Sequence, residues 1–221
     1  MNRNAKQNFI RAAALLAIFI GFTVLVATLD VRPIAPDQSG VGLSSINQFV
    51  FEKIGTHPLW YTVTEFIGIA ALLCAASFAA AGLYQMITRK GICAVDRRLP
   101  VLGAFYVLLA GAYLFFEQVV VNVRPILLDG AAEASYPSSH TMLVVCISAT
   151  TVMQLRAFFP QKTKLCRSAE VIAAALSALT ALGRLLAGVH WLSDIVGALL
   201  LSAAMIFLYR AMIALVEKER T

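Results

Sequence analysis

Gly183-Arg184-Leu185-Leu186-Ala187-Gly188-Val189-His190-Trp191-Leu192-Ser193-Asp194 sets an arginine, a histidine and an aspartate where one apolar run, Ala169–Leu182, gives way to another, Trp191–Met212. Charged and titratable groups at a junction of membrane helices are costly and tend to be functional. A helix beginning near His190 carries His190 and Asp194, four residues apart, on one face. A carboxylate beside an imidazole selects its tautomer and stabilises its cation, which suits the ring to nucleophilic or base work. Arg184 adds a planar fork matched to phosphate oxygens. The combination implies phosphoryl chemistry at a membrane surface. The bland reading, a structural histidine–aspartate pair joining two helices, stands beside it.

Composition supports the membrane half of that reading. Of 221 residues, 60% are hydrophobic and only 14% charged, and the mean hydropathy is +0.80. A soluble domain carries about a quarter charged residues, so a soluble fold is excluded. About 20 apolar residues cross a bilayer, and six segments qualify: Ala12–Leu29, Leu59–Ile87, Leu99–Val121, His140–Leu155, Ala169–Leu182 and Trp191–Met212. The fourth and fifth are short, so their ends must extend into polar flanks. No linker, low-complexity run or internal repeat divides the chain. The expected fold is all-α, a six-helix integral membrane bundle forming one domain over residues 1–221.

Basic residues alternate between loops. Arg3, Lys6 and Arg11 precede the first span; Arg89, Lys90, Arg97 and Arg98 follow the second; Arg156, Lys162, Lys164 and Arg167 separate the fourth and fifth; Arg210, Lys218 and Arg220 end the chain. The positive-inside rule places all four regions, and both termini, in the cytoplasm. His190 then faces outward with Arg32, Lys53, Arg124 and Arg184. Topology accounts for the net charge of +6, so no nucleic-acid partner is implied. The first span reads as an uncleaved anchor. Cys74 and Cys146 lie in spans, Cys93 and Cys166 in cytoplasmic loops, and no spacing suggests zinc or a disulfide.

Two outer segments carry further signals. Ser45–Ile54 has apolar residues at helical intervals (Ile46, Phe49, Val50, Ile54), which reads equally as an interfacial helix or one packed on the bundle end. Trp60, Tyr61 and Tyr136 fall where an aromatic belt is expected. In Asn122–Ser139, Arg124-Pro125 and Asp129-Gly130 end the third span and form a loop, in which Asp129 and Glu133 read as solvated charges. Proline followed by serine at Pro137-Ser138 starts a helix well. Its exposed first-turn amides and dipole form an anion site at Ser138, Ser139 and His140. His57 reads as a loop residue. Glu65, a carboxylate within the second span, either bonds a neighbouring helix or reaches toward the site.

Arg124-Pro125, then Pro137-Ser138-Ser139-His140, then Arg184 with His190 and Asp194, resemble in order and spacing the type 2 phosphatidic acid phosphatase family of membrane lipid phosphatases. That family's signature is Lys-x6-Arg-Pro, Pro-Ser-Gly-His and Ser-Arg-x5-His-x3-Asp, and the resemblance covers about residues 99–212. It implies an active site at the outer-leaflet ends of spans three to six. His190 would be the nucleophile, Asp194 its orienting partner and His140 the general acid. Arg124, Arg184, Ser138 and Ser139 would bind phosphate. No metal or other cofactor is implied. The partners would be the bilayer and a lipid phosphate: undecaprenyl diphosphate, phosphatidylglycerophosphate or phosphatidic acid. The expected location is a bacterial plasma membrane. Oligomeric state is not legible.

Three positions depart from the signature. Ser139 replaces its glycine, which matters only if that residue needs positive φ. Gly183 replaces a serine and its hydroxyl. Glu117 stands where the family has lysine, seven residues before Arg124 and thus two turns away on the same face of a continuous helix. Glu117 then either pairs with Arg124 or Arg184 or is protonated by burial, tunes which lipid is accepted through a hydroxyl or amine, or weakens catalysis. A lipid phosphotransferase and a catalytically weakened lipid-phosphate-binding protein are the alternative functions.

Overall fold

The structure, a computed structural model, describes residues 3–128 and 130–217. Asp129, Lys218 and Arg220, assigned above to an outer loop and the basic terminus, lie outside them. Among the described residues seven α-helices follow one another: α1 Arg3–Thr28, α2 Ser44–Ile54, α3 Pro58–Thr88, α4 Arg98–Gln118, α5 Ser139–Phe158, α6 Thr163–Leu186 and α7 Leu192–Glu217. All but α2 are long and apolar enough to cross a membrane. In hydrocarbon a helix satisfies its backbone internally, which is why these apolar runs become helices. The two short runs extend as their polar flanks suggested, α5 to Phe158 and α6 back to Thr163. The chain is a multi-pass integral membrane protein.

α1 packs chiefly on α7, while α5 lies among α3, α6 and α7. Phe19, Phe105, Leu109, Tyr136, Met142, Ile147 and Tyr209 form the core. Tyr136 is not an interfacial aromatic: it is 1% exposed, stacks on Phe19 at 6.2 Å and shares a 2.8 Å hydrogen bond with Thr23. Burial pushes its hydroxyl up to about 12, so it stays neutral. Such aromatic pairs add about 0.5–1.5 kcal/mol each beyond area burial. On α7, Tyr209 accepts a 2.6 Å hydrogen bond from the buried Gln154 of α5.

The bundle's two ends differ. At one, Arg11, Arg98, Arg156 and Arg210 line a cavity of about 410 Å3, with Arg98 paired to Glu217 and Arg156 to Glu170. Residues predicted to share a face therefore do so. At the other, α2 lies across the bundle with Asn47 buried and Ile46 and Phe49 turned outward. Asn47 exchanges hydrogen bonds with Ser193, at 2.9 Å to its Oγ and 3.1 Å from its N–H. Asp30 accepts the Ser45 N–H at 2.7 Å, and that bond holds its exposed carboxyl below the usual range.

Candidate active site

The α2 end gathers every site residue singled out above. Residues 122–124 pair with residues 133–135, Arg124 N–H donating to Glu133 O at 3.0 Å and Ser135 N–H to Asn122 O at 2.9 Å. Trp191 Nε1 donates to Val123 O at 2.7 Å. This bond ties the loop carrying Arg124 to the turn carrying His190.

His190 precedes α7, which starts at Leu192, so the expectation of a helix beginning near His190 needs correcting by two residues. Its Nδ1 is 3.0 Å from Ser135 O. A carbonyl can only accept, so the proton sits on Nδ1 and the Nε2 lone pair is left for chemistry. Nε2 is buried with no hydrogen-bond partner among the described residues. Burial, then the charges of Arg184 and Arg124, hold the ring well below the ordinary histidine pKa and therefore neutral. Asp194 Oδ2 lies 3.6 Å from Nδ1, beyond hydrogen-bond reach. Its oxygens instead accept the Trp191 N–H at 2.9 Å and Asn122 Nδ2 at 3.2 Å. Asp194 thus caps the first turn of α7 and fixes the turn that presents His190. Its influence on the ring is Coulombic and positional, and Ser135 supplies the tautomer-setting contact.

Arg184, 1% exposed at the end of α6, is held by α3. Its Nη1 donates to Glu65 Oε1 at 2.9 Å and to Thr64 Oγ1 at 3.4 Å, and its guanidinium lies 5.1 Å over the Tyr61 ring. His140 Nε2, in the first turn of α5, is 3.1 Å from the same Glu65 oxygen. Arg124 Nε is 3.2 Å from Glu133 Oε2. Glu133 is therefore an arginine's partner and not merely a solvated loop charge. Among the described residues, Arg124 Nη1, Arg184 Nε, His140 Nδ1 and Ser135 Oγ are buried without hydrogen-bond partners. Arg124, Arg184, His140 and His190 are electrostatic neighbours of one another.

The serines divide. Ser138 is buried, its N–H donates to Asp194 O at 3.1 Å and its hydroxyl pairs with Thr141 at 3.0 Å. It makes no side-chain cap. The Ser138 amide thus locks the start of α5 to α7, while its hydroxyl already has Thr141 as one partner. Ser139 opens α5 with a backbone outside the positive-φ region, so replacing glycine there costs no strain. Its amide, with those of His140 and Thr141, belongs to the first turn, whose N–H groups have no acceptor within the helix.

Glu117 needs correction too. α4 ends at Gln118, so Glu117 and Arg124 do not share a helix face. Glu117 is exposed and not buried, and the two arginines pair with Glu65 and Glu133 instead. Glu117 lines a cavity of about 600 Å3 with Glu65, Arg124, Glu133, Ser139 and His140, whose remaining wall includes Ile69, Leu72, Ala110 and Leu143. A polar end and an apolar flank between α3, α4 and α5 suit a phosphate attached to a hydrocarbon tail. A second, narrow space beside it is bordered by Ser135, Ser139, Glu117 and His190. Among the described residues, no group of three or more His, Cys, Asp or Glu side chains could hold a metal ion. The Arg32–Asp30 pair is 2.9 Å long and peripheral, and the His57 ring lies against the loop backbone, its Nε2 3.0 Å from Ile54 O.

Sequence reasoning missed Ser135, Asn122 and Thr64, which carry no motif, and left Glu65 undecided. Glu65 had a signal, an ionisable residue inside a span.

Comparison with known proteins extends the picture. The family model described as the PAP2 superfamily matches residues 70–217. No curated protein matches the sequence. Among solved structures, the first transmembrane PAP2 type phosphatidylglycerolphosphate phosphatase from Bacillus subtilis shares the fold. The TM-score is 0.63 at 18% identity, over 94% of this chain and 96% of that one.

Proposed function

The chain belongs to the PAP2 superfamily, and on that premise we propose that it is a lipid phosphatase acting through a phosphohistidine, with its site at the outer leaflet. The observation that carries the mechanism is His190. Its Nδ1 proton is committed to Ser135 O, and its Nε2 is buried without a partner, beside two arginines. Nε2 attacks phosphorus and forms the P–N bond as the P–O bond to the lipid breaks. His140, entering the step as its imidazolium, delivers the proton that the leaving oxygen takes up and becomes neutral. His140 then accepts a proton from water, whose oxygen bonds to phosphorus as the P–N electrons return to Nε2. Arg124, Arg184 and the amides from Ser139 onward bind the non-bridging oxygens and the charge that develops on them. The reaction needs no metal, because guanidinium and amide groups supply the positive potential.

The outward placement rests on the arginine-lined end lying opposite the site and on the positive-inside rule. Family resemblance and compact size favour a bacterial plasma membrane. The substrate is a lipid phosphomonoester or diphosphate, its tail lying against Ile69, Leu72, Ala110 and Leu143. Undecaprenyl diphosphate, phosphatidylglycerophosphate and phosphatidic acid are the candidates, and the fold neighbour's name puts phosphatidylglycerophosphate first. Glu117, in that cavity with no cation paired to it among the described residues, takes the substrate-tuning role and meets a head-group hydroxyl or amine.

Phosphate release by purified protein in detergent with EDTA, on these three lipids, tests the reading. Release is expected from at least one, with a 32P-labelled acid-labile enzyme intermediate that His190→Ala abolishes. Full turnover by folded His190→Ala would rule out the nucleophile. Label passing to a second lipid instead of water would mark a phosphotransferase.

A further inference from the structure

We infer that Glu65 is a positioning residue of this site: its carboxylate ties Arg184 to His140 and sets which edge of each faces the substrate. The inference rests on the phosphatase reading above. Glu65 lies outside all three motifs and before residue 70, where the family match begins.

One oxygen, Glu65 Oε1, serves two donors on two different helices, Arg184 Nη1 at 2.9 Å and His140 Nε2 at 3.1 Å. α3 is shaped for this. Tyr61 lies under the guanidinium and Thr64 beside it. One turn after Glu65, Gly68 leaves room for the imidazole: a Cβ there would sit 3.1 Å from His140 Cδ2 and 3.5 Å from Nε2. α6 is shaped to match. A Cβ on Gly183 would lie 2.6 Å from Thr64 Cγ2, so the glycine that replaces the signature serine is what lets α3 approach Arg184.

The chemical consequence follows from what each side chain has left. Arg184 gives Nη1 to Glu65 and keeps the buried, unpartnered Nε on its other edge for phosphate. His140 gives Nε2 to Glu65 and keeps the unpartnered Nδ1 for the leaving oxygen and then for water. In this role Glu65 acts through Arg184 and His140 and not on the reacting atoms themselves. Without it, a planar fork and a ring that must each present one particular edge lose the contact that fixes their rotation.

Charge and positioning predict opposite results, which makes the inference testable. Removing a negative charge near an anion site should strengthen anion binding, whereas removing a clamp should slow chemistry. Full-length protein in detergent, carrying Glu65→Gln or Glu65→Asp, is assayed for kcat and KM on a lipid the wild type hydrolyses. The expected result for Glu65→Gln is a kcat lowered about 10- to 100-fold with KM nearly unchanged, and partial recovery in Glu65→Asp. Wild-type kcat in Glu65→Gln overturns the inference. A second readout does not depend on turnover. The chain has only three histidines, His57, His140 and His190, so 15N-histidine spectra can be assigned by substitution. The His140 ring signals should shift in Glu65→Gln while those of His57 stay put, and unchanged His140 signals overturn the clamp. If the wild type hydrolyses nothing, the phosphatase reading fails and the spectra still decide Glu65. If Glu65→Gln does not fold, Glu65→Asp, with its charge kept and its reach shortened, must show the loss of kcat or the inference fails.

Discussion

Restoring the family's serine at position 183 should damage this protein. A Cβ on Gly183 would stand 2.6 Å from Thr64 Cγ2 and 3.1 Å from Trp60 Cε3, whereas comfortable carbon contacts lie at about 3.5–4.0 Å. α3 must therefore retreat from α6 by roughly 1 Å, and Glu65, the residue after Thr64, retreats with it. Overpacking of this kind costs about 1–3 kcal/mol, which for a chain this long lowers Tm by about 5 °C. The larger effect falls on chemistry, because a misplacement of about 1 Å in a catalytic constellation costs up to about 100-fold. Gly183→Ser should thus lose about 10- to 100-fold in kcat with a smaller loss of stability. The control is Gly183→Ser with Thr64→Ser, which deletes the colliding methyl and keeps the hydroxyl that accepts from Arg184. Phosphate release and thermal unfolding in detergent should both recover in part, the Trp60 contact remaining. A Gly183→Ser protein with normal kcat and Tm refutes the close-approach argument, and so does a double variant no better than the single.

The His190 environment makes stability depend on pH. The unfolded chain takes up a proton at its histidines near pH 6.5, whereas burial and the neighbouring arginines keep folded His190 neutral there. Protons then favour the unfolded state, so Tm should fall as pH drops below about 6.5, less steeply in His190→Gln; parallel profiles would contradict the shift. Tyr209→Phe removes the acceptor of the 2.6 Å bond from buried Gln154 and should cost about 1–3 kcal/mol in denaturation with kcat unchanged. Adding Gln154→Leu should restore most of that loss, and a single variant as stable as wild type would show that the bond contributes nothing.

The six spans were legible because a bilayer demands long apolar runs, and the alternation of basic loops showed which ends belong together. Arg124, His140, Arg184, His190 and Asp194 could be grouped from the sequence because they match the family's three motifs, and the structure brings them to one end of the bundle. What escaped were contacts that spacing does not encode. Ser135 contributes a backbone carbonyl, which any residue could offer, and Ser138 proved to be a lock between α5 and α7. Glu117 was misplaced because a helix was carried through to Arg124, whereas α4 stops at Gln118 and residues 122–124 pair with residues 133–135. Glu65 and Gly183 are informative only as a pair. Each looked like an isolated oddity until α3 was seen lying against the end of α6.

That pairing bears on how a site can bury arginines and still bind phosphate. A guanidinium taken out of water without a partner costs several kcal/mol or more, and Arg184 is 1% exposed. Were phosphate its only counter-charge, the empty enzyme would carry that penalty at all times. Glu65 and Glu133 relieve it from behind, each placed against one nitrogen of an arginine and leaving others unpartnered. Their price is some electrostatic attraction for the substrate, at a site where the signature lysine is already an exposed glutamate. What is gained is geometry that exists before the substrate arrives. Preorganised donors do not have to reorganise as charge develops on the phosphoryl oxygens, and that is where electrostatic catalysis gets most of its effect. The extra carboxylates are therefore compatible with an active enzyme: Glu65 and Glu133 are each engaged with an arginine, which leaves Glu117 as the carboxylate of that cavity available to the substrate.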